Sequence, residues 1–249
     1  MKFFFIIPLF FLCIHSFAQD VNALVKEADR LEDIPNEMAA LNKFREALKI
    51  QSTHIHALSK SSELCSRIGS RETNAKKRDA WFAAALSYAN KAIAVAPLND
   101  QANVSMAMIL GKSTLTRSGK EKLKDARQIK KLLETALKTN PNNYLAWHIL
   151  GRWNYEISNV SGLERAGAKI FYGGVPQGSI KNSIMYFEKS RTLMPNFILN
   201  YLSMANAYHK DKQTAKAISL LKMVQTLPVN TEDDPQHKAE ALRMIKAWE

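Results

Sequence analysis

Asn140-Pro141-Asn142-Asn143-Tyr144-Leu145-Ala146-Trp147-His148-Ile149-Leu150-Gly151 is the stretch that decides the fold. Proline cannot continue a helix and Asn favours caps and turns, so one helix ends at Asn140-Pro141. A new helix opens at once and carries Trp147, Leu150 and Gly151 on one side. Large residues beside a glycine make a face that a second helix crosses closely. The run joins two helical hairpins, and a chain of such joints stacks helix pairs around a continuous core.

The same pattern recurs on either side. Leu24, Ala28 and Leu31 are answered by Ala40, Phe44 and Ala47 before Ser52, and Leu58, Leu64 and Ile68 by Ala85, Ala89 and Ala92 before Pro97. Met106, Ala107 and Leu110 precede Ile129, Leu133, Ala136 and Pro141, and the quoted run is answered by Ser183, Phe187, Ser190 and Pro195. Tyr201, Met204, Ala205 and Tyr208 then pair with Ala217, Leu221 and Val224. Small residues at crossings, large ones in the gaps and a proline after the second helix are the marks of tetratricopeptide units. The expected fold is all-α: a tetratricopeptide-like α-solenoid of about five helix pairs with insertions and a capping helix. Repeats fall near 21–52, 55–97, 100–141, 144–195 and 198–228, with the cap at 235–248, all in one domain over 19–249.

Residues 1–18 read as a cleaved signal peptide: Lys2, an apolar run from Phe3, then Ser16-Phe17-Ala18 before the cut. The expected location is outside the cytoplasm, periplasmic or secreted, with the chain soluble after cleavage. Of the two cysteines, Cys65 alone remains beyond the cut, so packing rather than an intrachain disulfide must supply stability. A net charge of +12 favours acidic protein surfaces or anionic lipid as partners. Nucleic acid is not the expected partner of an exported chain.

The turn positions Ser52, Pro97, Pro141 and Pro195 stand wider apart than a unit of about 34 residues, by roughly ten in the second and third units and roughly twenty in the fourth. Two of these insertions are basic: Arg71 to Asp79, and Lys112 to Lys131 with Lys120, Lys122, Lys124 and Arg127. The second is either a solvated helix face or a dock for an anionic headgroup or acidic partner. In the fourth unit Ser161 and Glu164 fit a capping box. Leu163, Ala166, Gly167, Ile170 and Phe171 share one helical stripe, and Gly173-Gly174 stops the helix. Filling a gap in the packing is its simplest role. Capping the groove or touching a membrane interface are the alternatives.

In such stacks the first helix of each pair lines the concave groove, which places His148, Arg152 and Tyr155, then Asn206 and His209, toward a bound peptide or anionic group. An internal Arg152–Glu156 pair is the plainer reading. Signals for catalysis are poor. Gly111-Lys112-Ser113-Thr114 mimics a phosphate loop, but Met106 stands where its first glycine belongs. His54 and His56 have no carboxylate or cysteine cluster around them, so no metal and no cofactor are expected. The expected function is a non-catalytic scaffold or adaptor for a protein partner in the cell envelope. A lipid or amphiphile carrier using the groove and the 161–176 insertion is the alternative.

Beyond the generic repeat, Trp147-His148-Ile149-Leu150-Gly151-Arg152-Trp153-Asn154-Tyr155-Glu156 resembles the signature of the regulator of microtubule dynamics family. So do Leu163-Glu164-Arg165 and Phe171-Tyr172-Gly173-Gly174-Val175-Pro176. The resemblance implies a tetratricopeptide-like helical domain and scaffolding roles, including association with microtubules in animal members. It also implies that Trp147, Gly151, Arg152, Trp153, Tyr155 and Glu156 form a shared structural or binding centre. The export segment sets this chain apart, as an exported bacterial relative beyond the reach of tubulin.

Overall fold

A computed structural model describes residues 12–113 and 119–249 of the chain, and all regular structure among the described residues is helical. The helices are α1 (Leu12–Asp33), α2 (Glu37–Ile50), α3 (Ile55–Arg71), α4 (Ala75–Val95), α5 (Asp100–Ser113) and α6 (Gly119–Thr139). They continue as α7 (Tyr144–Asn159), α8 (Gly162–Tyr172), α9 (Ile180–Leu193), α10 (Ile198–Lys210), α11 (Thr214–Val224) and α12 (Asp234–Trp248). Residues 1–11 of the expected signal peptide lie outside the described residues, as do Thr114 and Arg117 of the basic insertion.

Five antiparallel pairs stack in order: α1 with α2, α3 with α4, α5 with α6, α7 with α9, and α10 with α11. Successive first helices also touch, α3 against α5, α5 against α7, and α7 against α10, so they line one side of the stack. The stack is an α-solenoid. Helix α12 packs on α10 and α11 and covers the last apolar face, with Ala241 and Met244 buried there.

The joint at Asn140–Asn143 shows how local chemistry sets each turn. Asn143 caps α7 by accepting from the Ala146 amide at 2.9 Å. Asn140 and Asn143 both donate to one Asp100 oxygen at 2.8 Å, which pins this turn to the start of the preceding repeat. The crossing of α7 and α9 depends on Gly151, where an added Cβ would meet the Phe187 ring at 2.7 Å. Ser183 then donates to the Gly151 carbonyl at 2.8 Å, a bond only a close crossing permits.

Candidate functional site

The inner side of the first helices is charged rather than apolar. On α3, Lys60, Glu63, Arg67 and Arg71 share one stripe. Glu32 at the end of α1 pairs with Lys60 at 3.2 Å and Arg67 at 2.8 Å, and Glu37 at the start of α2 pairs with Arg67 at 3.1 Å. Burial favours the neutral form of Glu32, yet Lys60 and Arg67 hold its carboxyl below the usual range. Burial pushes the Glu63 carboxyl up instead, against the pull of Lys60.

This network extends across the molecule. The loop between α11 and α12 returns Glu232 and Asp233 to the first repeats. The Glu37 amide donates to Glu232 at 2.8 Å, and Arg71 pairs with Glu37, Glu232 and Asp233 at 2.5, 3.1 and 2.9 Å. The loop is thus a strap that joins the last repeat to the first. Asp234 anchors it by accepting from the amides of Asn230 and Thr231. His237 and those amides outweigh burial and lower the Asp234 carboxyl.

Two cations of the first helices have no ion pair among the described residues, Lys112 on α5 and Arg152 on α7. Burial first, and the nearby Arg152 second, push the Lys112 ammonium below its ordinary value, while Asp233 pulls the other way. The Arg152–Glu156 pair expected from spacing is not formed; both side chains are exposed.

The other groove candidates do not gather beside Arg152. His148 is buried, bonded through Nδ1 to Asn200 at 3.0 Å and packed between Phe187 and Phe197. Desolvation pushes its imidazole down to about 3, so it stays neutral there. Tyr155 is half-buried beneath the Lys210 ammonium, 5.3 Å from its ring. Asn206 bonds back to the Leu202 carbonyl. His209 stacks on Trp248 of α12 at 4.1 Å, so the cap roofs the last repeat. Of the five, Arg152 keeps an exposed side chain on the open inner face, and His209 keeps its exposure only beside the cap.

The remaining motif residues act in packing. Trp153 is buried and donates to the Ala126 carbonyl on α6 at 2.8 Å, and Trp147 donates to the Pro141 carbonyl at 2.8 Å. Cys65 is buried, which raises its thiol to about 11 and makes a poor nucleophile. His54 caps α3, and His56 bridges Asp29 and Gln101 at 2.7 and 3.0 Å. No cluster of three metal-binding side chains occurs among the described residues.

Outside the stack lies α8. The capping box forms, with Ser161 and Glu164 satisfying each other's amides, and Gly173 ends the helix in the left-handed region at φ 74°. The stripe expected to fill a packing gap does not. Leu163, Ile170 and Phe171 are 86, 76 and 73% exposed, and Ala168 is the one buried residue of the helix. The insertion therefore leaves the groove uncapped: α8 leans on the second-helix side, where Arg127 donates to the Tyr172 and Gly174 carbonyls at 2.8 and 2.6 Å. On α6, Lys120, Lys124, Arg127 and Lys131 share one exposed stripe at spacings of three and four, while Lys122 projects from another side. Of the strap residues, Arg71 stood in the sequence as the first cation of the basic segment 71–79, while Glu37, Glu232 and Asp233 carried no motif.

Comparison with known proteins agrees with this architecture. A tetratricopeptide protein of Thermus thermophilus superposes with a TM-score of 0.62 at 15% identity, over 90% of this chain and 99% of that one. The Pseudomonas aeruginosa protein pilF gives 0.54 at 14% identity, over 94% and 90%. Regulator of microtubule dynamics protein 1 of Caenorhabditis elegans is 28% identical over 51% of this chain and 56% of its own length. Regulator of microtubule dynamics protein 2 of Mus musculus is 24% identical over 91% of this chain and 56% of its own. The chain thus spans little more than half the length of these relatives. The profile described as "Regulator of microtubule dynamics protein 1-3" matches residues 24–249, nearly the whole helical stack, and the chain belongs to that family.

Proposed function

We propose that the protein is a non-catalytic scaffold that holds an acidic segment of a partner protein on the inner face of its solenoid. One observation carries the reading: Lys112 and Arg152, on successive first helices and near enough for Arg152 to depress the Lys112 ammonium, have no ion-paired carboxylate among the described residues. The strap supports it, because Glu232 and Asp233 already occupy the neighbouring cation Arg71 as an acidic ligand would. Two unpaired cations in a partly dehydrated groove gain most from a carboxylate brought by another chain. The charged inner wall and the outward-facing α8 stripe favour a polar segment over an acyl chain in the groove.

The place of action we propose is the cell envelope, on the strength of the signal-like residues 1–18. N-terminal sequencing of the protein from its host tests this: a mature chain beginning at Gln19 supports export, and an intact Met1 in the cytoplasm opposes it. For the partner, a photo-crosslinking residue is placed at Glu156, one turn beyond Arg152, and adducts are identified by mass spectrometry. A defined protein adduct that disappears in Lys112→Glu/Arg152→Glu supports the reading. Its persistence in that variant, or a lack of any protein adduct, refutes it.

A further inference from the structure

The outer side of α6 and α8 takes no part in this groove. Three large apolar side chains stand exposed there on an eleven-residue helix that is well capped at both ends. Helices of a stable stack bury such a stripe, as α9 does with Phe187. Here Leu163, Ala166, Gly167 and Ile170 follow one another along the outward face, with Phe171 beside them. A contiguous exposed apolar surface of this kind marks a contact site.

Its neighbour is cationic. Arg127 grips the carbonyls at the C-terminal end of α8, so Ile170 and Phe171 sit next to the α6 stripe. Lys120, Lys124 and Lys131 of that stripe are exposed and make no ion pair with another described residue. Lys169 adds an exposed ammonium on α8 itself. Arg127 is spoken for, and Lys130 is drawn over the Trp153 ring at 5.5 Å. An apolar stripe for the acyl boundary beside free lysines for headgroups is the composition of an interfacial amphipathic helix.

We infer that α8 and the outer face of α6 form a peripheral docking surface for an anionic lipid bilayer. Leu163, Ile170 and Phe171 enter the headgroup boundary, and Lys120, Lys124, Lys131 and Lys169 meet the negative surface charge. The inner face, on the opposite side of the helix pairs, stays open to its partner while the protein is bound. Charge complementarity selects this occupant: a second copy of the chain would bring the same lysines together and repel.

The test is co-sedimentation of the full chain with phosphatidylglycerol–phosphatidylcholine vesicles and with phosphatidylcholine alone. Binding is expected to the anionic vesicles, to fall with added salt, and to be weak on the neutral ones. Ile170→Glu/Phe171→Glu should lower the partition at least tenfold with the circular dichroism melt unchanged. Lys120→Glu/Lys124→Glu/Lys131→Glu should lower it by about fivefold or more per lysine. Wild-type protein that stays in the supernatant overturns the proposal, as does unchanged binding by the α8 variant. Sedimentation equilibrium covers the other occupant: a wild-type dimer that Ile170→Glu/Phe171→Glu converts to monomer, without vesicle binding, assigns the stripe to a second copy instead.

Discussion

The strap and the α6–α8 face are both departures from a plain solenoid, and they use charge in opposite ways. At the strap, Glu37 is 1% exposed and Arg71 bonds three carboxylates. On the α6–α8 face the lysines are solvated and single, and the apolar side chains lie beside them in water. Buried partners gain from low dielectric but cannot lose one member cheaply. Solvated charges contribute little to stability and remain free for a ligand. The strap therefore reads as architecture and the outer face as a surface held in reserve.

Mutation can break that contrast. Arg71→Ala leaves the buried Glu37 carboxylate to Arg67 alone and loosens the loop, which keeps only the Glu37 amide bond to Glu232, at a cost of about 3 kcal/mol in denaturant unfolding. Hydrogen exchange should then rise together in the α11–α12 loop and at the start of α2. An unchanged unfolding midpoint would mean that the ends of the solenoid are joined by something other than this network.

The close crossing beneath the motif comes next. Gly151→Ala drives a methyl into the Phe187 ring, and overpacking of this kind costs about 2 kcal/mol, read as a lower melting temperature. A further Phe187→Leu change should recover part of the loss, because it removes the ring the methyl meets.

Acid should destabilise the fold through His148. His148 is neutral in the fold down to about 3, whereas the unfolded imidazole takes a proton near its ordinary value of 6.5. Its contribution to stability is therefore complete above pH 6.5 and is lost as pH falls toward 3. Between pH 6.5 and 5 the loss is on the order of 2 kcal/mol. Glu32 and Asp234, whose carboxyls are lowered, add their losses at still lower pH. Denaturant melts between pH 7 and 4 give the slope, and NMR of the imidazole shows whether His148 remains neutral.

The smallest effect belongs to the outer face. Arg127→Ala releases the Tyr172 and Gly174 carbonyls, which are exposed and can turn to water, so global stability should change by less than about 1 kcal/mol. Amide exchange across α8 should nevertheless quicken. A large drop in melting temperature would move α8 from the surface to the core of the fold.

Much of this was legible in the chain. Ser161 and Glu164 forecast a capping box, Gly173 a left-handed stop, and Gly151 a close crossing, because each depends on neighbours within one turn or one repeat. The His148 reading was incomplete for a physical reason. Helical periodicity placed it toward the groove, but Asn200 and Phe197 of the next repeat close over that position and bury it. The α8 stripe misled in the other direction, since periodicity reports that apolar residues share a face and not whether anything covers it.

By itself the sequence determined the helices, their pairing order, the turn chemistry and the family, all of which rest on local spacing and short-range contact. Tertiary structure alone decided that Glu37 would meet Glu232, 195 residues away, and that Leu163, Ile170 and Phe171 would meet water. The first outcome depends on the curvature accumulated over five stacked pairs, the second on α8 standing outside them. No single repeat encodes that curvature, because small rotations between neighbouring repeats add up along the stack until the strap can join its ends.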